Sequence, residues 1–481
     1  MHTHDTFFYG GDWNAPADPS TVLPVVSPST EEQIGSFPQT REGDVDAAVA
    51  AARAAFDDPR GWAHWPVEQR AEAMERLAAA LEPHAEELAQ LVSAQNGMPI
   101  KNSRASEAWS GVYMLRYYAD LIRGRGVEEG REMGGRTTLV RSEPAGVVAA
   151  IVPWNFPQGI AFMKLAPALA AGCTVVLKPS TETVLDSYLL AACVAEAGLP
   201  PGVVNIVPGG RDVGAYLVGH PGVDKVTFTG STAGGRSVAQ RCAELLRPVS
   251  LELGGKSAAV VLDDADLVAA KDHFLYATMF NSGQTCWLST RILVPRSRSA
   301  ELVDTVTDLV GSLTIGDAQD DATDIGPMSS AAHRERVEGY VKAGIDGGAR
   351  LTTGGGRPAD RDRGWFVEPT IFVTDNDSVV AREEIFGPVL SIIEYDDVDH
   401  AVALANDSGY GLGGTVWTED DERGYDVARR LRTGIVGLNG FQGDLGSPFG
   451  GVKDSGFGRA MGPEGLQTYQ ASKSIYQRAG Q

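Results

Sequence analysis

A chain of 481 residues is too long for one core, and two or three domains of ~100–200 residues are expected. Hydrophobic residues make up 43% and charged residues 22%, the balance of an ordinary soluble enzyme. The net charge of -22 argues against nucleic acid or an acidic membrane as a partner, because polyanions would be repelled. No run of ~20 apolar residues is available to span a bilayer, and no signal peptide is read at the N-terminus. The four cysteines, Cys173, Cys193, Cys242 and Cys286, form no CxxC pair and resemble neither a disulfide framework nor a zinc site. Reduced thiols in a cytoplasmic protein without a metal site are expected.

In chain order, Asp44 is read as the N-cap of a helix over Val45–Phe56, and helical spacing continues from Ala71 to Leu91, interrupted near Pro83. A third helix is expected from Glu107 to Leu121, followed by a charged, glycine-rich, hairpin-like segment. Short β-branched runs then appear at Val147–Val152, Thr174–Leu177, Asn205–Val207 and Lys225–Thr229. Helices are expected between them at Ile160–Ala171, Leu185–Ala197, Val213–Val218 and Gly235–Leu246. Buried strands alternating with helices imply a parallel sheet covered on both faces. After Gly255 the cycle restarts with Ala258–Leu262, Ile292–Val294, Pro369–Val373 and Val389–Tyr395, a second α/β domain.

Five segments are candidates for chemistry. In Phe280–Cys286 a cysteine stands among small and polar residues, which suits a reactive thiol; taken alone, a lone cysteine is more often a small buried hydrophobe. In Leu251–Lys256 the Glu252 carboxylate, at a strand end before two glycines, could serve as a general base or as a surface ion-pair partner. In Val152–Pro157 two prolines stiffen a loop whose Asn155 amide could donate to an oxyanion, or bond its own backbone. The segment Phe228–Gly235 follows a strand and opens a helix, a place for phosphate or a plain strand–turn–helix junction. Its spacing is not the dinucleotide GxGxxG. Lys178, at another strand end, could bond ribose hydroxyls or stay solvated. In an open α/β sheet ligands bind beyond the carboxyl ends of the strands, so Asn155, Lys178 and Gly230 would converge there.

These segments, in this order, resemble the aldehyde dehydrogenase superfamily from about Tyr9–Gly11 to Ser472–Ser474. Glu383–Pro388 and Pro448–Gly456 extend the match. The resemblance implies an α/β fold of two Rossmann-like open parallel-sheet domains and a small β extension used for oligomerisation. The cofactor-binding domain would take residues 1–122 and 145–254, the catalytic domain 255–454, and the extension 123–144 and 455–481. The activity implied is oxidation of an aldehyde to an acid with NAD, NADP also being admissible. Cys286 would be the nucleophile, Asn155 and the Cys286 N–H the oxyanion donors, and Glu252 the base. The cofactor would lie against Val152, Pro153, Trp154, Lys178, Ser180, Thr181, Gly210, Gly230, Ser231, Gly235, Leu253, Gly254, Glu384 and Phe386.

Two positions depart from the family pattern. Ala460 stands where many members have a relay glutamate, so Glu252 would work alone with water. Thr181 stands where NAD-preferring members have a glutamate, and adjacent Glu182 could occupy the vacant place. An acylating, coenzyme A-dependent relative is disfavoured by Glu252. A non-catalytic structural relative is disfavoured by the presence of Cys286, Glu252 and Asn155 together. The tunnel regions offer Met163, Trp287 and Gln442–Gly446, with no arginine for a second carboxylate. A hydrophobic aliphatic, terpenoid or aromatic aldehyde is expected, in a homodimer or homotetramer.

Overall fold

The computed structural model describes residues 1–476. The stretch 477–481, assigned above to the extension, lies outside the described residues. The strands Val147–Ile151 and Thr174–Lys178 are apolar along nearly their whole length and buried at every position. A strand apolar on both sides needs cover on both faces, which only the interior of a parallel sheet gives. They occupy the middle of an eight-stranded sheet. Its order is Gly456–Phe457, Val249–Glu252, Lys225–Thr229, Val147–Ile151, Thr174–Lys178, Val204–Ile206, Phe7–Tyr9, Asp12–Asn14. The five central strands are parallel, and the outer three are antiparallel additions.

From Val147–Ile151 the chain moves one way through Thr174–Lys178 and Val204–Ile206, and the other way through Lys225–Thr229 and Val249–Glu252. The order therefore reverses beside Val147–Ile151, and the loops leaving that point open a crevice. Val152–Phe156 and Gly230–Ser231 are those loops.

A seven-stranded sheet follows in the order Arg350–Thr353, Thr370–Val373, Val389–Tyr395, Arg291–Pro295, Ala258–Val261, Gly414–Trp417, Gly437–Leu438. All its neighbours are parallel except the first pair. A three-stranded sheet pairs Glu128–Met133 and Gln470–Tyr476 on either side of Arg136–Pro144. Gly134 and Gly135, at φ 61° and 71°, make the tight turn of this hairpin. A second small sheet joins His2–Thr3, Gln33–Pro38 and Val22–Val26. Among the described residues no helix is long and apolar enough to cross a membrane.

Three expectations need correction. The first helix spans Glu42–Asp57 with Arg41 at its N-cap, so Asp44 is not the cap. Asp44 lies one turn in and accepts the Arg41 N–H at 2.8 Å, the returning half of a capping box. The helix expected from Glu107 to Leu121 starts later, running Ser110–Arg123, and Glu107 lies buried in the gap after a separate Ile100–Ser106 helix. Finally, Gly456–Phe457 pairs with Val249–Glu252 at the edge of the large sheet, not with the hairpin.

Candidate active site

The segment before Cys286 is strained and tightly held. Asn281 and Ser282 adopt left-handed backbone at φ 52° and 56°, and Gly283 follows at φ 78°. Such conformations cost on the order of 1–3 kcal/mol for each side-chain-bearing residue and persist only where neighbours enforce them. The Ser282 hydroxyl accepts the Gly326 N–H at 2.9 Å, and Gln284 Oε1 accepts the Ser329 N–H at 3.0 Å. A Cβ on Gly283 would fall 2.1 Å from the Gly387 carbonyl oxygen, so only glycine fits. Cys286 emerges half-buried, while Cys173, Cys193 and Cys242 are fully enclosed. Burial, then the Glu384 and Glu252 carboxylates, push the Cys286 thiol up to about 12. The resting group is a neutral thiol that needs a base to become a nucleophile.

Asn155 lies on the loop leaving the Val147–Ile151 strand and is 3% exposed. Its side-chain Nδ2 donates to the Gln284 carbonyl at 3.0 Å, two residues from the cysteine. Its own carbonyl accepts from Asn281 Nδ2 at 3.2 Å and Asn96 Nδ2 at 3.3 Å. One amide hydrogen of Asn155 is therefore committed to the nucleophile loop, and the other remains for a ligand.

Glu252 ends its strand and is almost wholly enclosed. Neither carboxylate oxygen has a hydrogen-bond partner among the described residues. Burial pushes its carboxyl up to about 8, against the pull of the Lys164 and Arg459 cations. Gly450 leaves the room beside it, since a Cβ there would lie 2.7 Å from Oε1. Lys164 donates to Thr227 Oγ1 at 3.2 Å, and burial brings its ammonium down to about 7.

A cleft of about 260 Å³ runs over the loop ends of the two large sheets. Its walls include Pro153, Trp154, Asn155, Gly230, Ser231, Leu253, Gly254, Cys286, Glu384 and Phe386, ten of the residues singled out from the sequence. Ser231 caps the Thr232–Glu244 helix through the Gly234 N–H at 3.2 Å. Gly254 permits Glu384 to close in, because a Cβ there would lie 2.1 Å from its carboxylate. Glu384 Oε1 accepts the Gly255 N–H at 3.0 Å, while burial pushes its carboxyl up to about 7.

Val152, Lys178, Ser180, Thr181, Gly210, Gly235 and Glu252 are not part of that lining. Val152 donates its N–H to the Lys178 carbonyl at 3.2 Å, and Gly235 packs under Leu253. Lys178 Nζ donates to the Pro179 carbonyl at 2.8 Å and to the Gly209 carbonyl, one residue before Gly210. The Glu182 carboxylate accepts the hydroxyls of Ser180 and Thr181, the latter at 3.1 Å. A carboxylate thus stands beside Thr181 although the sequence offers none at that position.

Sequence reasoning missed His333 and Arg336, which complete the wall opposite Trp154. The His333 ring lies 5.2 Å from Trp154 and donates through Nε2 to the Phe386 carbonyl at 2.6 Å. Both sit on a helix far along the chain, with no local pattern to single them out. Trp287, read from the sequence as a tunnel residue, belongs to an aromatic cluster whose other members were missed. Trp287 stacks on Phe441 at 4.1 Å, Tyr276 packs on Phe280 at 4.6 Å, and Phe156 stacks on Phe280 at 6.0 Å.

The cleft thus joins a cysteine, an asparagine amide and a run of glycines, with the buried Glu252 carboxylate behind its lining. The Aldehyde dehydrogenase family matches residues 13–475. The chain is 54% identical to the geranial dehydrogenase of Castellaniella defragrans over 475 residues, 98% of each chain. It is 42% identical to a 3-succinoylsemialdehyde-pyridine dehydrogenase of Pseudomonas over 99% of each. The crystal structure of a Mycobacterium tuberculosis aldehyde dehydrogenase complexed with NAD+ superimposes with a TM-score of 0.97 at 45% identity, covering 100% of this chain and 99% of that one. A mutant aldehyde dehydrogenase C from Pseudomonas syringae, complexed with NAD+ and octanal, gives 0.94 at 41% identity, covering 98% of this chain and 96% of that one. With the fold, the groove and the sequence agreeing over the whole length, the chain belongs to the aldehyde dehydrogenase family.

Proposed function

We propose that the protein oxidises an apolar aldehyde to its carboxylic acid with NAD, with Cys286 as nucleophile, Asn155 as oxyanion donor and Glu252 as base. The observation that carries this reading is the single cleft that brings Asn155, Cys286, Gly230, Ser231, Gly254 and Glu384 together. The donor set fits a dinucleotide: glycines where a Cβ would clash, a serine-capped helix, and a buried lysine with one ammonium hydrogen left for a ribose hydroxyl. When bound, that cofactor supplies the acceptor for the aldehyde hydride.

Glu252 takes the Cys286 proton, and the sulfur attacks the carbonyl carbon. The carbonyl oxygen becomes an alkoxide, held by the free Asn155 amide hydrogen and the Cys286 N–H. Loss of the hydride leaves a thioester on Cys286. Glu252 passes that proton to solvent, then takes one from water as the water oxygen attacks the thioester; the acid leaves, and the Cys286 sulfur recovers a proton from Glu252. A carboxyl pushed up to about 8 can hold and release a proton near neutral pH. Lys164 and Arg459 pull the Glu252 carboxyl back toward its ionised form, and Ala460 adds no second carboxylate beside them.

The wall of Phe156, Tyr276, Phe280, Trp287 and Phe441 supports an extended apolar substrate, and the Castellaniella defragrans relative, a geranial dehydrogenase, points to a terpenoid aldehyde. We further infer cytoplasmic location from four unpaired cysteines. The proposed domains are those read above, save that Gly456–Phe457 and the Gly462–Gln467 helix go with the cofactor-binding sheet. The hairpin sheet would serve assembly into a dimer or tetramer. The test is turnover of geranial, octanal, benzaldehyde, succinic semialdehyde and betaine aldehyde, followed at the absorbance of the reduced nicotinamide. Higher kcat/KM for the first three is expected; preference for either of the charged aldehydes would refute the substrate class.

A further inference from the structure

Glu107 fills the break between two helices and is only 1% exposed. Among the described residues no cation pairs with it. Its Oε2 accepts the Gln158 N–H at 2.8 Å and the Gly159 N–H at 3.2 Å, and Oε1 also reaches the Gly159 N–H at 3.3 Å. These are the first N–H groups of the Pro157–Ala171 helix, since proline has none, and they have no partner inside the helix. A Cβ on Gly159 would fall 2.8 Å from Glu107 Oε1, so this close approach requires glycine. The side-chain amide of Gln158 is itself fixed, donating to Asp186, which also accepts from Gln95.

The other side of the same segment is held independently. Asn96 Nδ2 donates to the carbonyls of Trp154 at 3.1 Å and Asn155 at 3.3 Å. Asn155 therefore sits between two anchors, one on the carbonyls before Phe156 and one on the N–H groups after it. An apolar residue at position 107 would leave two buried N–H groups without an acceptor. Neither Glu107 nor Asn96 is itself part of the cleft lining.

We propose that Glu107 and Asn96 are positioning residues for Asn155. Together they fix the Trp154–Gly159 segment so that the Asn155 amide meets the substrate oxygen as it gains charge. The inference rests on the oxyanion role assigned to Asn155. A donor must be aimed at the oxyanion to within a fraction of an ångström, and loss of one such donor costs ~100–1000-fold in kcat.

The test is a cycle of Glu107→Gln and Asn155→Ala, measured as kcat, KM, NAD affinity and the rate of Cys286 alkylation by iodoacetamide. Glutamine keeps the shape, and with its oxygen in the Oε2 place it sets an NH2 group in the Oε1 place, against the Gly159 N–H. In the otherwise natural protein, Glu107→Gln should lower kcat ~10–100-fold, since the donor is displaced and not deleted. KM, NAD affinity and alkylation should stay within about twofold, because none of them uses the oxyanion donor. In the Asn155→Ala background, Glu107→Gln should have no further effect. An equal fall in kcat with and without Asn155, or alkylation falling in step with kcat, overturns the proposal. Full turnover by Asn155→Ala alone overturns the oxyanion reading beneath it. If Glu107→Gln does not fold, Asn96→Ala in the same cycle tests the other anchor, and the same outcomes decide.

Discussion

Replacing Glu252 by glutamine removes the proposed base and keeps its shape, and the structure sets both a kinetic and a thermodynamic magnitude. The carboxyl is pushed by burial from 4.5 to about 8, and both oxygens lack partners among the described residues. At about 1.4 kcal/mol for each pH unit between these values, ionising it in the folded protein costs on the order of 5 kcal/mol. The folded state therefore binds more protons than the unfolded chain between those two values. This contribution to stability is fully present below pH 4.5 and is lost as pH rises through about 8. Glu252→Gln, which cannot ionise, should be more stable than the natural protein at pH 9 by up to several kcal/mol, with little difference at pH 4.5. A general base contributes ~100–10,000-fold, so hydrolysis of the thioester should slow by that factor, and the natural protein's deacylation should rise with pH up to about 8. Intact-mass spectrometry after mixing with aldehyde and NAD should show the acyl-enzyme accumulating in the variant. Fast hydrolysis by Glu252→Gln, with no acyl-enzyme, would refute the reasoning.

The remaining predictions concern cofactor, substrate and assembly. Glu182→Gln, which removes the carboxylate bonded to Ser180 and Thr181, should raise NADP turnover relative to NAD by ~10-fold, and Thr181→Glu should depress NADP use far more than NAD use. Unchanged NADP/NAD ratios in steady-state assays would show that neither residue faces the 2′ position. Phe441→Ala, which opens the wall stacked on Trp287, should raise KM for geranial ~10-fold and leave that for propanal nearly unchanged; equal effects on both would remove Phe441 from the substrate path. Val140→Lys, on the central strand of the hairpin sheet, should shift the protein toward monomer in light scattering, whereas an unchanged mass would place the interface elsewhere.

Long apolar strands were legible in the sequence because burial on both faces writes a continuous pattern. Lys225–Thr229 and Val389–Tyr395 have the boundaries expected of them. Edge pieces such as Phe7–Tyr9 and Gly456–Phe457 are too short to carry a period, and only their partners define them. Gly414–Trp417 escaped for a related reason, since it is a four-residue strand opening on glycine. The helix expected to begin at Glu107 begins instead at Ser110, because a charged residue at the edge of a helical pattern reads as solvent-facing. Here it turns inward to satisfy another helix's N–H groups. The cleft was legible where the chain changes from strand to loop, at Asn155, Gly230 and Gly254. His333 and Arg336 come from a distant helix, and only tertiary structure brings them there, as it brings Phe441 against Trp287. The Glu182 carboxylate was visible in the sequence as a neighbour of Thr181, but its bonds to Ser180 and Thr181 depend on a loop conformation that no local pattern specifies.

The central claim, a thioester on Cys286, is tested most directly by acid-quenching the protein during turnover of geranial with NAD and mapping its peptides by mass. The account predicts the acyl mass on the peptide carrying Cys286, absent without NAD, and in Cys286→Ala no acyl adduct and no turnover despite retained NAD binding. An acyl group on another residue, or steady turnover by Cys286→Ala, would contradict it.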